Sequence, residues 1–140
     1  MKKNYWLVKQ EPEAFSWEDF TQKGQTLWDG VRNYQARNNL RKMKKGDRVL
    51  FYHSVGPREV VGVAEVTEEA FPEPGDESGK WSVVRMEPRE TLPQPVTLAA
   101  IKEEASLAEI ALIKQSRLSV MPLTAPEFKK ICQMGGLAKK

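Results

Sequence analysis

Residues 28–43 read Trp28-Asp29-Gly30-Val31-Arg32-Asn33-Tyr34-Gln35-Ala36-Arg37-Asn38-Asn39-Leu40-Arg41-Lys42-Met43. Gly30 predicts a turn in which the backbone can come close to a neighbouring group. Beyond this turn, Ala36, Leu40 and Met43 recur at positions i, i+4 and i+7, which predicts a helix with a narrow apolar stripe. We therefore expect a glycine turn and then a helix that packs on the rest of the protein through this stripe.

The neighbouring face of this predicted helix is polar. Asn33, Arg37 and Arg41 recur there at i, i+4 and i+8, and further asparagines and a tyrosine lie beside them. Amides, a phenol and fixed cations are suited to planar hydrogen bonding, stacking and phosphate contact, and none of them titrates near neutral pH. The alternative is a solvated surface helix. Asparagine is a poor former of helix interiors, which favours a binding face over that alternative.

The length and composition predict one domain of ordinary size, spanning residues 1–140. The single cysteine excludes an internal disulfide and argues against a zinc cluster. No apolar run reaches the length of a signal peptide or a membrane span, so we expect no association with membranes. The chain is expected to be a cytoplasmic monomer, or a nuclear one if its source is eukaryotic.

The positive charge is concentrated in one segment. Between Arg32 and Arg48 there are seven basic residues and one acidic residue, a net charge of +6, whereas the remainder of the chain carries 15 basic and 18 acidic residues. A basic patch on a mildly acidic body is typical of a surface that binds a polyanion. A lysine-rich loop that only keeps the protein soluble is the alternative, but the adjacent amides and aromatic residues favour binding.

The remaining pattern predicts an α+β fold with a small curved or closed sheet and short flanking helices. Capping boxes predict helix starts at Ser16, Ser106 and Thr124, and Gly24 predicts a helix end. A mobile loop is expected over residues 71–80. The expected strands cover residues 5–9, 48–54, 60–66, 81–86 and 116–120.

Candidate catalytic chemistry is sparse. His53 is the only histidine, and one histidine satisfies the requirement for a general base in many proteins that are not enzymes. The sequence has no metal-ligand spacing, no phosphate loop and no dinucleotide fingerprint, so we expect neither a metal nor another cofactor. A nucleotide-acting enzyme with His53 as its general base remains one alternative, and a basic protein-interaction module is another.

The tryptophans are expected to divide into core and surface. Trp6 and Trp81 fall in predicted strands and are expected in the core, and Trp17 follows a helix cap and is expected to be half-buried. Trp28 precedes the glycine turn, where an exposed or half-exposed ring beside cations and amides would make a stacking platform for a base. Packing in the core is the alternative for any one of these tryptophans.

Motifs along nearly the whole chain point to a known family. In order they are Tyr5-Trp6-Leu7-Val8-Lys9-Gln10-Glu11-Pro12, Phe15-Ser16-Trp17, residues 28–38, Phe51-Tyr52-His53-Ser54 and Ser116-Arg117-Leu118-Ser119-Val120. Together they resemble the EVE domain family. The resemblance implies a PUA-like mixed β-pseudobarrel related to the YTH and ASCH domains. It also implies a non-catalytic role in binding DNA or RNA, with a concave pocket that takes a modified base.

The resemblance also implies which residues line that pocket. They are Lys9, Glu11, Ser16, Trp17, Trp28, Gly30, Val31, Arg32, Asn33, Tyr34, Asn38, Tyr52, His53, Ser54 and Ser119. We expect Trp28 and Tyr52 to form aromatic walls. Hydrogen bonds to the base edge are expected from Asn33, Asn38, Ser54 and Ser119. The expected phosphate-binding residues are Arg37, Arg41, Lys44, Lys45 and Arg117.

Overall fold

The structure is a computed structural model and describes residues 4–137. Six strands and six α-helices alternate irregularly along the chain, with one short 3-10 helix at Ala105–Leu107. The strands are β1 (Tyr5–Gln10), β2 (Thr26–Leu27), β3 (Arg48–His53), β4 (Glu59–Pro72), β5 (Ser82–Thr97) and β6 (Val120–Leu123). The helices are α1 (Pro12–Phe15), α2 (Trp17–Lys23), α3 (Tyr34–Lys42), α4 (Leu98–Glu103), α5 (Ala111–Lys114) and α6 (Ala125–Met134).

All six strands belong to one mixed sheet in the order β2-β5-β4-β3-β1-β6. Only the pairing of β1 with β3 is parallel, and the other four pairings are antiparallel. The parallel register sets Lys9 opposite Tyr52 and Gln10 opposite His53, so the C-terminal ends of both strands lie side by side. The expected α+β class is confirmed.

Local capping chemistry defines the helix ends as the sequence predicts. Ser16 accepts a hydrogen bond from the Asp19 backbone and its own N–H donates to the Asp19 carboxylate, which completes the capping box of α2. Gly24 ends that helix with φ +83°, a left-handed conformation that favours glycine. Thr124 begins α6 through an equivalent box with Glu127.

The predicted stripe on α3 is also present. Ala36, Leu40 and Met43 are all fully buried. Asn33 is the N-cap of this helix, because its Oδ1 accepts a hydrogen bond from the Ala36 N–H at 2.9 Å. The buried Asn39 donates from Nδ2 to the Val120 carbonyl at 2.7 Å, which ties α3 to the edge strand β6.

Three sequence-based boundaries are wrong. The strand expected at 116–120 begins only at Val120, because the preceding residues form a turn closed by a Leu118 N–H bond to the Gln115 carbonyl. Ser106 does not begin a capping box, since the Glu104 carboxylate accepts from its backbone and hydroxyl and caps the 3-10 helix instead. The loop expected from residue 71 starts later, because β4 extends to Pro72.

Gly62 permits a close contact between the sheet and α2. The indole ring of Trp17 lies against this glycine, and a Cβ added at Gly62 would come within 2.2 Å of the ring. Trp17 is 6% exposed and donates from Nε1 to the Thr91 hydroxyl at 2.9 Å. It is therefore a core residue that fixes α2 on the sheet, and the expectation of a half-buried ring is wrong.

Candidate functional site

A cavity of about 350 Å³ opens where β1 and β3 end. We call it the Lys9 cavity. Three residues of the predicted pocket, Lys9, Tyr52 and Ser54, meet there. The complete lining is Lys9, Tyr52, Ser54, Arg58, Leu98, Leu112 and Ser116.

Backbone pairing holds the polar groups of the Lys9 cavity in place. The Lys9 N–H donates to the Ser119 carbonyl at 2.9 Å, and its Nζ donates to the Ser116 carbonyl at 2.7 Å. On the neighbouring strand, the Ser54 N–H donates to the Gln10 carbonyl at 3.0 Å. Two strand ends and the 115–119 turn therefore form one framework around the cavity.

The Lys9 cavity carries positive potential. Partial burial lowers the pKa of Lys9, and the nearby guanidinium of Arg58 lowers it further. Burial raises the pKa of the Tyr52 phenol, while Arg58 acts in the opposite direction. The cavity can therefore offer a phenol, two serine hydroxyls and two cations to a ligand, beside the apolar side chains of Leu98 and Leu112.

A second cavity of about 290 Å³ adjoins the first, and Ser116 lines both. We call it the Arg117 cavity. Its lining is Asn33, Gln35, Gln115, Ser116, Arg117 and Leu118, of which Asn33 and Arg117 were predicted site residues. The amide oxygen of Asn33 already accepts the helix-capping hydrogen bond, so this side chain can offer a ligand its Nδ2 donors and the second lone pair of Oδ1.

The polar face of α3 packs against the segment of residues 73–82. Tyr34 stacks on Trp81 with ring centroids 5.3 Å apart and an interplanar angle of 12°. Arg32 lies over Trp81 at 5.1 Å, and Arg37 lies over Tyr34 at 4.8 Å. We call these four side chains the aromatic ladder. Tyr34 is 55% exposed and Trp81 is half-buried, so the expectation of Trp81 in the core is wrong.

The arginines of this face are bonded within the protein. Arg32 forms a bidentate ion pair with Glu73, with nitrogen–oxygen distances of 2.7 and 3.0 Å. This pairing raises the pKa of Arg32 and lowers the pKa of Glu73. Arg37 donates to the Lys80 carbonyl at 2.9 Å, and Arg41 donates to the Ser82 hydroxyl at 2.9 Å. These side chains hold the 73–82 segment against α3.

Other predicted site residues lie around this face. The Asn38 oxygen accepts from Arg37, and Gly30 donates its N–H to Glu73. Val31 is buried in the core. Lys44 and Lys45 are exposed just beyond the end of α3.

Trp28 is 4% exposed and packs edge-on against Phe51 with ring centroids 5.6 Å apart. The expectation that it is an exposed platform is therefore wrong. It contributes to a third cavity of about 560 Å³, which contains no other predicted site residue. That cavity is lined by Gln10, Ala14, Phe15, Lys23, Gln25, Thr26, Leu27, Trp28, Asp29 and Arg85.

His53 has a structural contact at the start of α2. Its Nε2 accepts a hydrogen bond from the Trp17 N–H at 3.1 Å, which satisfies a free donor at the helix N-terminus. Burial lowers the pKa of His53, and the carboxylate of Glu59 opposes that shift. Ser16 is occupied as the cap of the same helix, and Glu11 is an exposed residue at the N-cap position of α1 whose side chain makes no capping hydrogen bond.

Sequence reasoning missed four residues of the Lys9 cavity. Arg58 lies between two predicted strands and outside the family motifs, and Ser116 belongs to a segment interpreted as a strand. Leu98 and Leu112 come from α4 and α5, and nothing in their own sequence context marks them as cavity residues. Only their position in the fold reveals them.

Residues 4–137 contain neither a metal-binding cluster nor a membrane-spanning helix. No group of three or more histidine, cysteine, aspartate or glutamate side chains there is arranged to hold a metal ion. Within the same residues, every helix is too short or too polar to cross a membrane.

Known structures share this fold over nearly the whole chain. Rpa0253 from Rhodopseudomonas palustris is 48% identical, with a TM-score of 0.93 over 98% of this chain and 96% of that one. Human THYN1, solved in complex with DNA containing 5-methylcytosine, is 32% identical, with a TM-score of 0.88 over 99% of each chain. The YTH domain of Zygosaccharomyces rouxii MRB1 is 16% identical with a TM-score of 0.62, which shows the fold alone.

These likenesses confirm the expected PUA-like fold. Among curated sequences, mouse thymocyte nuclear protein 1 is 35% identical over 94% of this chain and 73% of its own length. The sequence profile of the EVE domain matches residues 4–134. The chain therefore belongs to the EVE domain family.

Proposed function

We propose that this EVE domain binds nucleic acid and takes a modified base into the Lys9 cavity. The observation that carries the proposal is the meeting of Lys9, Tyr52 and Ser54 around one concave site at the ends of β1 and β3. Leu98 and Leu112 give the cavity apolar surface, and the polar groups can fix the orientation of a ring that lies between them. This combination suits a planar heterocycle with hydrogen-bonding edges.

Two relatives support this class of ligand. Human THYN1 was solved with DNA that contains 5-methylcytosine, and this chain aligns with it over 99% of both lengths. The more distant YTH domain was solved with RNA that contains N6-methyladenosine. A base must leave the helical stack to reach a concave pocket, so we expect extrusion of the base or binding to a single strand.

We assign different roles to the residues around the cavity. Tyr52, Ser54 and Lys9 would contact the base, and Arg117 in the adjoining cavity would bind the phosphate chain. Lys44 and Lys45 are exposed and lie within the basic segment, so they would extend the phosphate contacts. We retain neither Trp28 nor Tyr52 as a stacking wall, because only 4% and 2% of their surfaces are exposed, and Tyr52 would contact the base through its phenol oxygen.

The arginines of α3 have a different proposed role. Arg37 and Arg41 donate to the 73–82 segment, and Arg32 is paired with Glu73. We propose that they shape this border of the binding surface and that the exposed lysines carry more of the phosphate affinity.

The hydrogen bond to His53 argues against the enzyme alternative. Its Nε2 acceptor is engaged by the Trp17 N–H, so a general base would have to break a helix-capping contact. We therefore propose a non-catalytic role. Nucleoside mass spectrometry after long incubation with nucleic acid tests it, because a new nucleoside that forms only with the protein would contradict it.

The binding proposal is tested with paired oligonucleotides that differ only in one 5-methylcytosine, as single-stranded DNA, duplex DNA and RNA. We expect tighter binding of the modified member of at least one pair. Tyr52→Phe removes one hydroxyl from the Lys9 cavity. It should weaken that preference by about 2- to 13-fold, the equivalent of one hydrogen bond of about 0.5–1.5 kcal/mol.

Tyr5→Phe is the matched control, because it removes the same hydroxyl from a ring that packs on Phe128 in the hydrophobic core. It should leave the preference unchanged. Equal effects of the two substitutions would place the base outside the Lys9 cavity. If N6-methyladenosine is bound and 5-methylcytosine is not, the cavity assignment stands with a different base. Nucleoside analysis of co-purified nucleic acid would identify the natural modification.

A further inference from the structure

Arg58 and Lys9 form a pair of like charges that share one cavity. Both side chains line the Lys9 cavity, and Arg58 is close enough to Lys9 to oppose its protonation. Lys9 is partly buried and Arg58 is exposed, so water screens the repulsion between these like charges only in part. An anionic group that entered the cavity could contact both cations and relieve their repulsion.

The protein does not supply such an anionic group among residues 4–137. In this range the Arg58 guanidinium has no hydrogen-bond or ion-pair partner, and no carboxylate lines the cavity. Lys9 uses one of its three N–H donors on the Ser116 carbonyl. By contrast, Arg32, Arg85 and Arg89 each hold a glutamate.

The backbone around Arg58 is fixed even though its side chain is unpaired. The Arg58 carbonyl accepts a hydrogen bond from the Leu98 N–H at 2.9 Å, which anchors the end of the 54–58 turn to the start of α4. Gly56 has φ +77° and permits the reversal that returns Arg58 to the cavity. The turn therefore presents the guanidinium beside Tyr52 and Ser54.

We propose that Arg58 and Lys9 together bind an anionic oxygen group of the nucleotide whose base enters the cavity. This inference rests on the proposed function and narrows its ligand. A carboxylate on the base itself could supply the group, as could the phosphate next to that base. Either one fits the planar fork of the guanidinium and the point charge of the ammonium.

The test compares Arg58→Gln with Lys129→Gln. Lys129 is exposed on α6 outside the cavity, so its substitution removes the same charge without touching the site. Three oligonucleotides of one sequence are used. One carries 5-methylcytosine, one carries 5-carboxylcytosine, and one carries 5-methylcytosine between two neutral methylphosphonate linkages.

We expect Arg58→Gln to weaken binding of at least one charged oligonucleotide about tenfold or more, since hydrogen bonds to charged groups exceed neutral ones. If the base supplies the anion, wild-type protein will prefer 5-carboxylcytosine over 5-methylcytosine, and the variant will lose that preference. If the phosphate supplies it, methylphosphonate will weaken the wild-type complex but not the variant complex. A variant that behaves like Lys129→Gln with all three oligonucleotides would overturn the inference.

Titration with inorganic phosphate separates this inference from the base-binding proposal. In NMR spectra of the free protein, phosphate should shift the amide signals of Ser54 and Ser116 saturably, and Arg58→Gln should weaken that binding about tenfold. This result would support the anion site even if no oligonucleotide pair showed a preference for the modified base. Equal shifts in wild type and variant would remove Arg58 from the site.

Discussion

The buried position of Trp28 predicts that its main contribution is to stability. Only 4% of the side chain is exposed, and its ring packs edge-on against Phe51. Truncation of a buried tryptophan to alanine removes its apolar contacts and leaves a cavity, at a cost of about 3–5 kcal/mol. For a domain of this size, roughly 3–5 °C of melting temperature corresponds to each kcal/mol, so Trp28→Ala should melt roughly 10–20 °C below wild type.

Trp81→Ala is the matched control for this substitution. Trp81 is half-buried, and its packing includes the stack on Tyr34 and the contact with Arg32. Those two interactions are worth about 1–2 kcal/mol together, so the same chemical change should lower the melting temperature by roughly 3–10 °C, less than in Trp28→Ala.

Thermal unfolding followed by circular dichroism measures both variants, and binding is then compared well below each melting temperature. The folded fraction of Trp28→Ala should retain its preference for the modified base. If Trp28→Ala melts close to wild type and loses that preference selectively, the ring is a pocket wall rather than part of the core. That result would refute the reasoning.

Three further predictions concern packing, charge and pH. Gly62→Ala should destabilise the fold by about 1–3 kcal/mol in chemical denaturation, because its methyl group would displace the buried Trp17 ring. Replacing Lys44 and Lys45 together with glutamine should reduce the log–log salt dependence of nucleic-acid binding by about two, and an unchanged slope would exclude both from the interface. Burial lowers the pKa of His53, so the unfolded chain binds the proton more readily. The contribution of neutral His53 to the stability of the fold should be complete above pH about 6.5, and it should be lost as the pH falls through the lower pKa of His53 in the folded protein. Melting temperatures measured across this range should therefore fall less in His53→Gln than in wild type.

Local chemistry made part of this fold predictable. Capping boxes begin helices at Ser16 and Thr124, and Gly24 ends a helix. Each of these features involves residues within a few positions of one another, so all of the residues that form it can be identified in a short stretch of sequence. The apolar stripe of α3 follows helical periodicity in the same way. The PUA-like fold was predicted from the resemblance of the motifs to the EVE domain family, and the similar solved structures confirm that prediction.

The tryptophan predictions were wrong because burial depends on distant partners. Trp28 is covered by Phe51 from β3, while Trp81 lies just before β5 and stacks on Tyr34 from α3. Neither partner is evident from the residues that flank the tryptophans. The capping box expected at Ser106 does not form, and the cause is local. The Glu104 carboxylate accepts the hydrogen bond from the Ser106 N–H that the expected box requires.

The candidate site was predictable only in part for a related reason. Lys9, Tyr52 and Ser54 lie in recognisable motifs, and the parallel register of β1 and β3 brings them together. Arg58 reaches the same cavity from a turn outside the family motifs, and Ser116 reaches it from a motif in which only Arg117 and Ser119 were predicted site residues. Their contribution depends on where the turns end in space.

The position of β1 in the sheet also determines when the chain can finish folding during its synthesis. Among the strands of residues 4–137, β1 is made first, yet its two neighbours are β3 and β6, and β6 pairs only with β1. One edge of β1 must therefore stay unpaired until residues 120–123 have left the ribosome. Such separation in sequence slows folding and leaves a strand edge open to other chains. Truncation before residue 120 should consequently yield an aggregation-prone product rather than a smaller stable domain.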